Sequence, residues 1–147
     1  ENEELKSVTS KKGISVINIC SSGMIDAHGF LEKIFEVFAR QQVVVDVVAT
    51  SEVSVSLTVD KGEEKKVMGE LSKFCTVTVQ EDLAIVCLVG NGIRTNPKIL
   101  GQLFSQLTDH NIYMVSEGAS KRNITFLVNE SESQAVVTKI FNTFFNL

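Results

Sequence analysis

The sequence has few of the features that mark several large classes of protein. It contains one proline, no tryptophan and two histidines among 147 residues, and its net charge is −4. An acidic chain of this kind offers no basic footprint for nucleic acid. No apolar run approaches the roughly 20 residues that cross a bilayer, and the polar, acidic start does not resemble a secretory signal. We therefore expect a soluble, cytoplasmic protein that binds neither nucleic acid nor membranes.

Cysteine is also scarce, and its spacing fits neither a metal site nor a disulfide framework. Cys20, Cys75 and Cys87 lie far apart in apolar segments, as small buried hydrophobes do. No basic residue close in sequence would favour the thiolate of Cys20. The chain also lacks a metal-ligand cluster and a glycine-rich phosphate loop. These absences predict a chain with no metal, no cofactor and no catalytic residues of its own.

What the sequence does have is an internal repeat. Shifted by 69 positions, residues 14–60 lie over residues 83–129 without a gap, and apolar positions match apolar ones. The two copies are therefore expected to share one fold. A feature found in only one of them is a candidate for function rather than architecture.

Periodicity predicts the order strand, helix, strand, strand, helix, strand in the first copy. Apolar residues with helical spacing (Leu31, Ile34, Phe35 and Phe38) predict a helix over Gly29–Gln41. The valine-rich run Val43–Ala49 predicts a buried strand, and alternation predicts another over Val53–Val59. A second helix is expected over Glu63–Lys73 and short strands over Ile14–Cys20 and Thr76–Gln80.

The second copy repeats this order but ends without a final strand. Strands are expected at 83–89, 112–117 and 123–128, with helices at 98–110 and 132–145. Asn96 before Pro97 predicts a helix start, and Ser131 with Gln134 predicts a capping box. We expect the leftover segment Leu5–Lys11 to complete the second sheet. The first module (13–81) is then inserted in the second (5–12 plus 82–147).

Several segments of the chain resemble the regulatory region of aspartokinases. They are Gly23–Leu31, Val44–Asp46 and Thr50–Thr58 in the first copy, and Glu117–Ser120 with Asn123–Ile124 in the second. The Thr-Ser-Glu-Val-Ser run is the most specific of them. The resemblance covers nearly the whole chain and is greatest to the lysine-sensitive, single-function type.

This resemblance implies a fold and a function. The fold is α+β: two ferredoxin-like βαββαβ ACT modules, each an antiparallel sheet with helices on one face. Family members bind an amino acid such as L-lysine to inhibit the enzyme, and their modules pair edge to edge in a homodimer. The catalytic kinase domain that binds aspartate, ATP and Mg²⁺ precedes this region, so the chain alone is not expected to be an enzyme.

Comparing the two copies points to a ligand without using the family. Three carboxylates in the first copy have no acidic counterpart in the second: Asp26, Asp46 and Glu52 align with Thr95, Val115 and Lys121. Carboxylates accept hydrogen bonds from the two amines of a cationic amino acid. Asp46 lies among valines, where a carboxylate is costly unless paired. The N–H groups that begin the helix after Gly29 suit the ligand's carboxylate.

The resemblance enlarges this set of candidate effector-binding residues. It adds residues that line the effector site in lysine-sensitive relatives: Met24, Ala27, Gly29, Phe30, Leu31 and Val45. Asp26 and Ala27 depart from residues found in some relatives, which affects affinity or selectivity. Each carboxylate also has a simpler interpretation. Asp26 is an N-cap, Glu52 is a solvated turn residue, and Asp46 faces water or a lysine of the protein.

Other functions are compatible with the same residues. One is a sensor of threonine or another amino acid, and another is an ACT pair that only mediates dimerisation. A third is a small enzyme that uses Asp46 and His28 as an acid and base, although no nucleophile, oxyanion donor or metal completes such a site.

Overall fold

The computed structural model describes residues 5–21, 28–117 and 120–145. Within these ranges the chain forms six strands and four helices. In chain order they are β1 (Leu5–Cys20), α1 (Phe30–Arg40), β2 (Val48–Thr50), β3 (Ser54–Asp60), α2 (Lys65–Leu71), β4 (Thr76–Gly90), α3 (Pro97–Ser105), β5 (Met114–Ser116), β6 (Asn123–Asn129) and α4 (Ser133–Phe144). The longest of these helices has 12 residues, too few to cross a bilayer.

The chain divides into two compact units. The first unit is Gly13–Asp82, and the second unit joins the N-terminal segment through Lys12 to the chain from Leu83 onward. Both boundaries fall inside a strand, so β1 and β4 each contribute one part to each unit. The sequence predicts boundaries after residues 12 and 81.

The first unit has the strand order β2-β3-β1-β4. β3 pairs antiparallel with β1, from Ile14 opposite Asp60 to Cys20 opposite Ser54, and antiparallel with β2 on its other side. Alternate strand residues and both helices bury one core: Ile17, Ile19, Val55, Leu57, Val59, Ile34, Val37, Phe38, Val67 and Leu71. The two helices therefore cover one face of the sheet, as the sequence predicts.

The second unit has the order β1-β4-β6-β5. β6 pairs antiparallel with β4, from Leu83 opposite Asn129 to Val89 opposite Asn123, and with β5. Leu5 and Val8, from the first half of β1, pack against its core. The start of the chain thus contributes apolar side chains to the second unit. The α+β class and the two ferredoxin-like repeats are confirmed.

Two expectations about the first unit are wrong. Helix α1 buries Ile34, Val37 and Phe38, whereas Leu31 and Phe35 of the predicted stripe are 41% and 38% exposed. The spacing of residues 34, 37 and 38 is also helical, so the helix is rotated to bury Val37 instead.

The valine-rich strand also differs from the expectation. β2 covers only Val48–Thr50, and the preceding residues alternate between covered and exposed side chains. Val43 is buried, whereas Val44 is 74% exposed. The run is therefore an edge segment with one covered face, because Val43 and Val45 face the core and the residues between them face away from it.

One of the two predicted helix caps is confirmed. The Asn96 side chain accepts a hydrogen bond from the Lys98 N–H at the start of α3. The capping box at Ser131 is wrong. A 3₁₀ turn (Glu130–Glu132) precedes α4, and the Ser133 hydroxyl donates to the Glu130 carbonyl.

Removing residues 1–12 should destabilise the second unit, because Leu5 and Val8 pack against its core. We expect the amides of residues 83–90 and of β6 to exchange at least tenfold faster, about 1.4 kcal/mol of lost protection. Hydrogen exchange followed by mass spectrometry measures this. The pair Leu5→Ala with Val8→Ala should act in the same direction without shortening the chain. Unchanged exchange in the truncated protein would contradict the assignment.

Candidate functional site

The predicted effector residues belong to the first unit. Met24, Asp26 and Ala27 lie outside the described residues. The structure describes the other six: Gly29, Phe30, Leu31, Val45, Asp46 and Glu52.

Gly29, Phe30 and Leu31 form the start of α1. Gly29 is the N-cap with φ 81°, a conformation that residues with a Cβ adopt at a cost. Its carbonyl accepts from the Lys33 N–H at 3.1 Å, and the N–H groups of the intervening first turn have no partner within a helix. Phe30 packs against the core and meets the Phe74 ring edge-on at 6.2 Å. This end of the helix therefore offers N–H donors to an anion.

Glu32 lies in the same first turn and was missed by the sequence reasoning. Its Oε2 is 3.6 Å from the point where a Cβ on Gly29 would sit. An acidic side chain in the first turn stabilises the helix start through the helix dipole, although it makes no capping hydrogen bond here. The available signal was its position three residues after the N-cap, where acidic side chains often reach back.

Asp46 lies on a β-bulge of the edge segment. Its N–H donates to the Thr58 carbonyl at 3.3 Å, and the Val47 N–H donates to the Thr58 hydroxyl at 2.8 Å. Thr58 N–H in turn donates to the Val47 carbonyl at 3.0 Å, so two edge residues oppose one residue of β3. Thr58 is buried, whereas Asp46 is exposed. The expectation that Asp46 is a buried carboxylate is therefore wrong. Asp46 lies in the bulge with its side chain exposed to solvent.

Glu52 is exposed in the turn between β2 and β3. The Ser51 N–H donates to the Ser54 carbonyl at 2.9 Å, and the two serine hydroxyls lie 2.7 Å apart. These contacts close the turn on both sides of Glu52.

Glu52 and Asp46 lie at different levels along β3. The turn with Glu52 is next to Ser54, which pairs with the last residue of β1, whereas Asp46 bonds to Thr58. Ser54 and Thr58 are four residues apart, roughly 13 Å in a strand.

The start of α1 lies at the Glu52 end of the first unit. β3 runs away from that end, α2 carries the chain back, and Phe74, just after α2, meets Phe30. Gly29 and Glu52 therefore share one end of the unit, and Asp46 lies further along the edge.

The strand register changes the comparison between the two copies. β3 pairs Leu57 with Val48, whereas β6 pairs Phe126 with Val115. The shift of 69 positions matches Leu57 with Phe126 but leaves the edge strands two residues out of step. The gap-free repeat is therefore wrong at this strand, and the counterpart of Asp46 is Tyr113, which is not acidic either.

Apolar side chains are exposed around these carboxylates. β2 is a terminal strand in the order of the first unit, and Val44 and Val48 are exposed beside Asp46. Leu31, Phe35 and Val53 are exposed as well. Exposed apolar residues on an open sheet edge are a typical surface for association with another chain.

A cavity of about 190 Å³ lies elsewhere, in the second unit. Its lining consists of Lys6, Ser7, Val8, Phe141 and Phe145. It contains none of the predicted effector residues, and the ammonium of Lys6 repels a cationic ligand. The cavity and the predicted site therefore do not coincide.

The cysteines show no reactive arrangement in the part of the chain that the structure describes. Burial raises the pKa of the Cys75 thiol, which donates to the Leu71 carbonyl. Cys20 is exposed and Cys87 is half-buried. Among residues 5–21, 28–117 and 120–145, no group of three histidine, cysteine, aspartate or glutamate side chains could hold a metal ion.

Comparison with known proteins gives one consistent family. The family model of the ACT domain matches residues 17–73 and 86–144, one match in each repeat. The chain is 38% identical to aspartokinase 1, chloroplastic, of Arabidopsis thaliana over 96% of its own length and 27% of that protein. It is 34% identical to lysine-sensitive aspartokinase 3 of Escherichia coli over 99% of its length and 34% of that protein.

A solved structure agrees with these relatives. The structure of E. coli aspartokinase III in complex with lysine and aspartate (T-state) superposes with a TM-score of 0.86 at 33% identity. The match covers 99% of this chain and 34% of that one. The chain therefore spans about a quarter to a third of its relatives, namely their regulatory ACT part, and does not include their catalytic domain.

Replacing Thr58 by valine should disrupt the bulge, because the Val47 N–H loses its acceptor while the packing volume is kept. An unsatisfied, partly buried donor costs about 1–2 kcal/mol. We expect a lower urea midpoint and faster exchange of the Val47 amide. Thr58→Ser retains the hydroxyl and should leave that amide protected. Equal exchange of this amide in the two variants would contradict the role of the hydroxyl.

Proposed function

We infer the function of this chain from a family to which it belongs, the ACT domains of the aspartokinase regulatory region, and propose that it binds L-lysine. Binding would inhibit phosphorylation of aspartate as feedback in the biosynthesis of lysine, threonine and methionine. ATP and Mg²⁺ would bind to the kinase domain that the relatives carry and this chain does not span. The chain itself would have no catalytic role.

Three groups of the first unit suit the three charged groups of free lysine. The N–H groups at the start of α1 would bind the α-carboxylate. Glu52, at the same end of the unit, would accept from the α-ammonium. Asp46 would accept from the ε-ammonium, since the four-carbon stem of lysine and the two acidic side chains can together span roughly 13 Å. This spacing of Glu52 and Asp46 is the observation that carries the proposal.

The remaining candidates would contact the apolar part of the ligand. Leu31 is exposed next to Gly29, and Val45 precedes the bulge and packs against the core. These side chains, with Phe30, are suited to cover the stem. Met24, Asp26 and Ala27 stay candidates on the family resemblance.

We further propose that a second copy of the chain completes the site. β2 is a terminal strand with exposed valines beside Asp46, and pairing two such edges about a two-fold axis would cover them. A ligand at that joint binds one arrangement of the two copies more tightly and shifts the population toward it. In the intact enzyme this shift would reach the catalytic domain as allosteric inhibition.

We propose a cytoplasmic location for the protein. A plant relative is named chloroplastic, so fractionation of cells that express the full-length protein is the deciding measurement.

Calorimetry tests the two carboxylates separately. We expect lysine to bind at least tenfold more tightly than norleucine, which lacks the ε-amine, a difference of about 1.4 kcal/mol. Asp46→Asn should remove this preference, because the carboxylate of Asp46 is the proposed partner of the ε-ammonium. Glu52→Gln should weaken both ligands about tenfold and keep the preference, because both share the α-amine.

Glu36→Gln, an exposed carboxylate on α1, is the matched control and should change neither ligand. Heat from threonine without heat from lysine would indicate a neutral amino-acid sensor. No heat from any amino acid would indicate a module that only dimerises.

Sedimentation tests the edge-to-edge dimer. Val44→Lys should weaken dimerisation at least tenfold and weaken lysine binding with it, because the substitution puts two like charges at the joint. Val115→Lys, on the terminal strand of the second unit and 42% exposed, is the matched control and should leave the dimer unchanged. A dimer that responds to Val115→Lys but not to Val44→Lys would refute this interface.

A further inference from the structure

A chain of polar contacts in the second unit is not used by the proposed site. The side chain of His110 is 8% exposed, with its Nδ1 3.1 Å from Glu132 Oε1 and its Nε2 2.9 Å from Lys139 Nζ. Glu132 Oε2 accepts from the Asn129 amide at 3.0 Å, and the Asn129 oxygen accepts from the Tyr113 hydroxyl at 3.1 Å. These contacts join the segment after α3, the 3₁₀ turn and α4.

The donors and acceptors determine the protonation of this chain. A lysine ammonium can only donate, so His110 Nε2 accepts and carries no proton. Hydrogen bonds from Asn129 and His110, with the nearby positive charge of Lys139, lower the pKa of the Glu132 carboxyl. Glu132 is therefore ionised at neutral pH and accepts from His110 Nδ1–H.

The first unit has a contact at the same positions but of different chemistry. The shift of 69 positions matches His110 with Gln41 and Lys139 with Glu70. Gln41 Nε2 donates to Glu70 Oε1 at 2.7 Å, and Arg40 bonds to the other oxygen of Glu70. The first unit thus ties the end of its first helix to its second helix, and the second unit ties the segment after its first helix to its second helix. The amide of Gln41 does not titrate, whereas an ordinary imidazole takes up a proton near pH 6.5.

We propose that His110 and Lys139 form a proton-operated clasp in the second unit. At a pH at which Nε2 carries no proton, Nε2 accepts from Lys139, and this hydrogen bond ties α4 to the segment after α3. When Nε2 takes a proton from solvent, two like charges face each other and Lys139 moves away, while the bond to Glu132 remains. Acid therefore removes this tie and loosens α4, whose Val136 and Ile140 stay in the core, but it leaves the Gln41–Glu70 contact of the first unit intact.

The groups around the imidazole act in opposite directions. Lys139, from α4, favours the neutral ring, and Glu132, from the 3₁₀ turn, favours the charged ring. Tyr113 acts only through Asn129, and Asp109 next to His110 is exposed. The pH dependence of the unaltered protein sums these opposing effects, so a test must remove each neighbour separately.

Urea unfolding between pH 5.5 and 8 separates the two neighbours. All proteins carry His28→Gln, because the chain has two histidines and His110 is then the only imidazole. With Glu132→Gln the folded ring faces only Lys139, so the unfolded state binds more protons and stability falls as the pH is lowered. With Lys139→Gln the folded ring binds more protons, and stability rises as the pH is lowered. The same direction in both variants would overturn the proposal.

His110→Gln is the matched control, since its amide can accept from Lys139 and donate to Glu132 at every pH. Its free energy of unfolding should vary over this pH range only as far as the other titratable side chains make it vary.

Two measurements on the His28→Gln protein test the clasp without relying on those variants. Nitrogen-15 NMR at pH 8 should show the His110 proton on Nδ1 and an acceptor at Nε2. Hydrogen exchange should show α4 losing protection at least threefold more than α2 between pH 8 and pH 5.5, after correction for the intrinsic rates. A proton on Nε2 at pH 8, or equal changes in the two helices, would refute the clasp.

Discussion

The pairing of β3 with the strands on its two sides determines where the two described carboxylates of the proposed site, Asp46 and Glu52, lie. Its bond partners in β1 bring Ser54 to the end of that strand, and the turn with Glu52 follows from this register. On its other side, Thr58 bonds to two consecutive edge residues and so presents Asp46 outward. The two carboxylates are functional candidates because one buried strand spaces them along a single edge.

Much of the fold follows from the sequence because it rests on local periodicity. The alternation of Val53–Val59 and the helical spacing around Ile34 both reflect burial of one face, and both predict the correct element. The repeat explains why the second unit needs a strand from outside its own copy. Leu5 and Val8 contribute to that unit although 70 or more residues separate them from the rest of it.

The parts of the site that sequence reasoning missed depend on contacts between distant residues. In the run Val43–Val48 the one polar residue, Asp46, lies on the alternation that is exposed, so the pattern did carry a signal for the side that faces water, which the expectation of a buried strand overlooked. In the bulge the Val47 N–H donates to the Thr58 hydroxyl, a contact that no periodicity of the edge segment can indicate. The contact between His110 and Lys139 was missed for a similar reason, since Lys139 reaches the imidazole from a helix that begins 23 residues later.

The two repeats have diverged in how their polar groups are used. The first unit exposes its carboxylates on an open edge, whereas the second unit joins its own into a partly buried network. The first unit is one contiguous stretch of the chain, whereas the second unit joins residues through Lys12 to those from Leu83 onward. Recombination with a breakpoint between the copies would separate Leu5 and Val8 from the second core, so shuffling that keeps both cores whole must transfer the pair as a single heritable block.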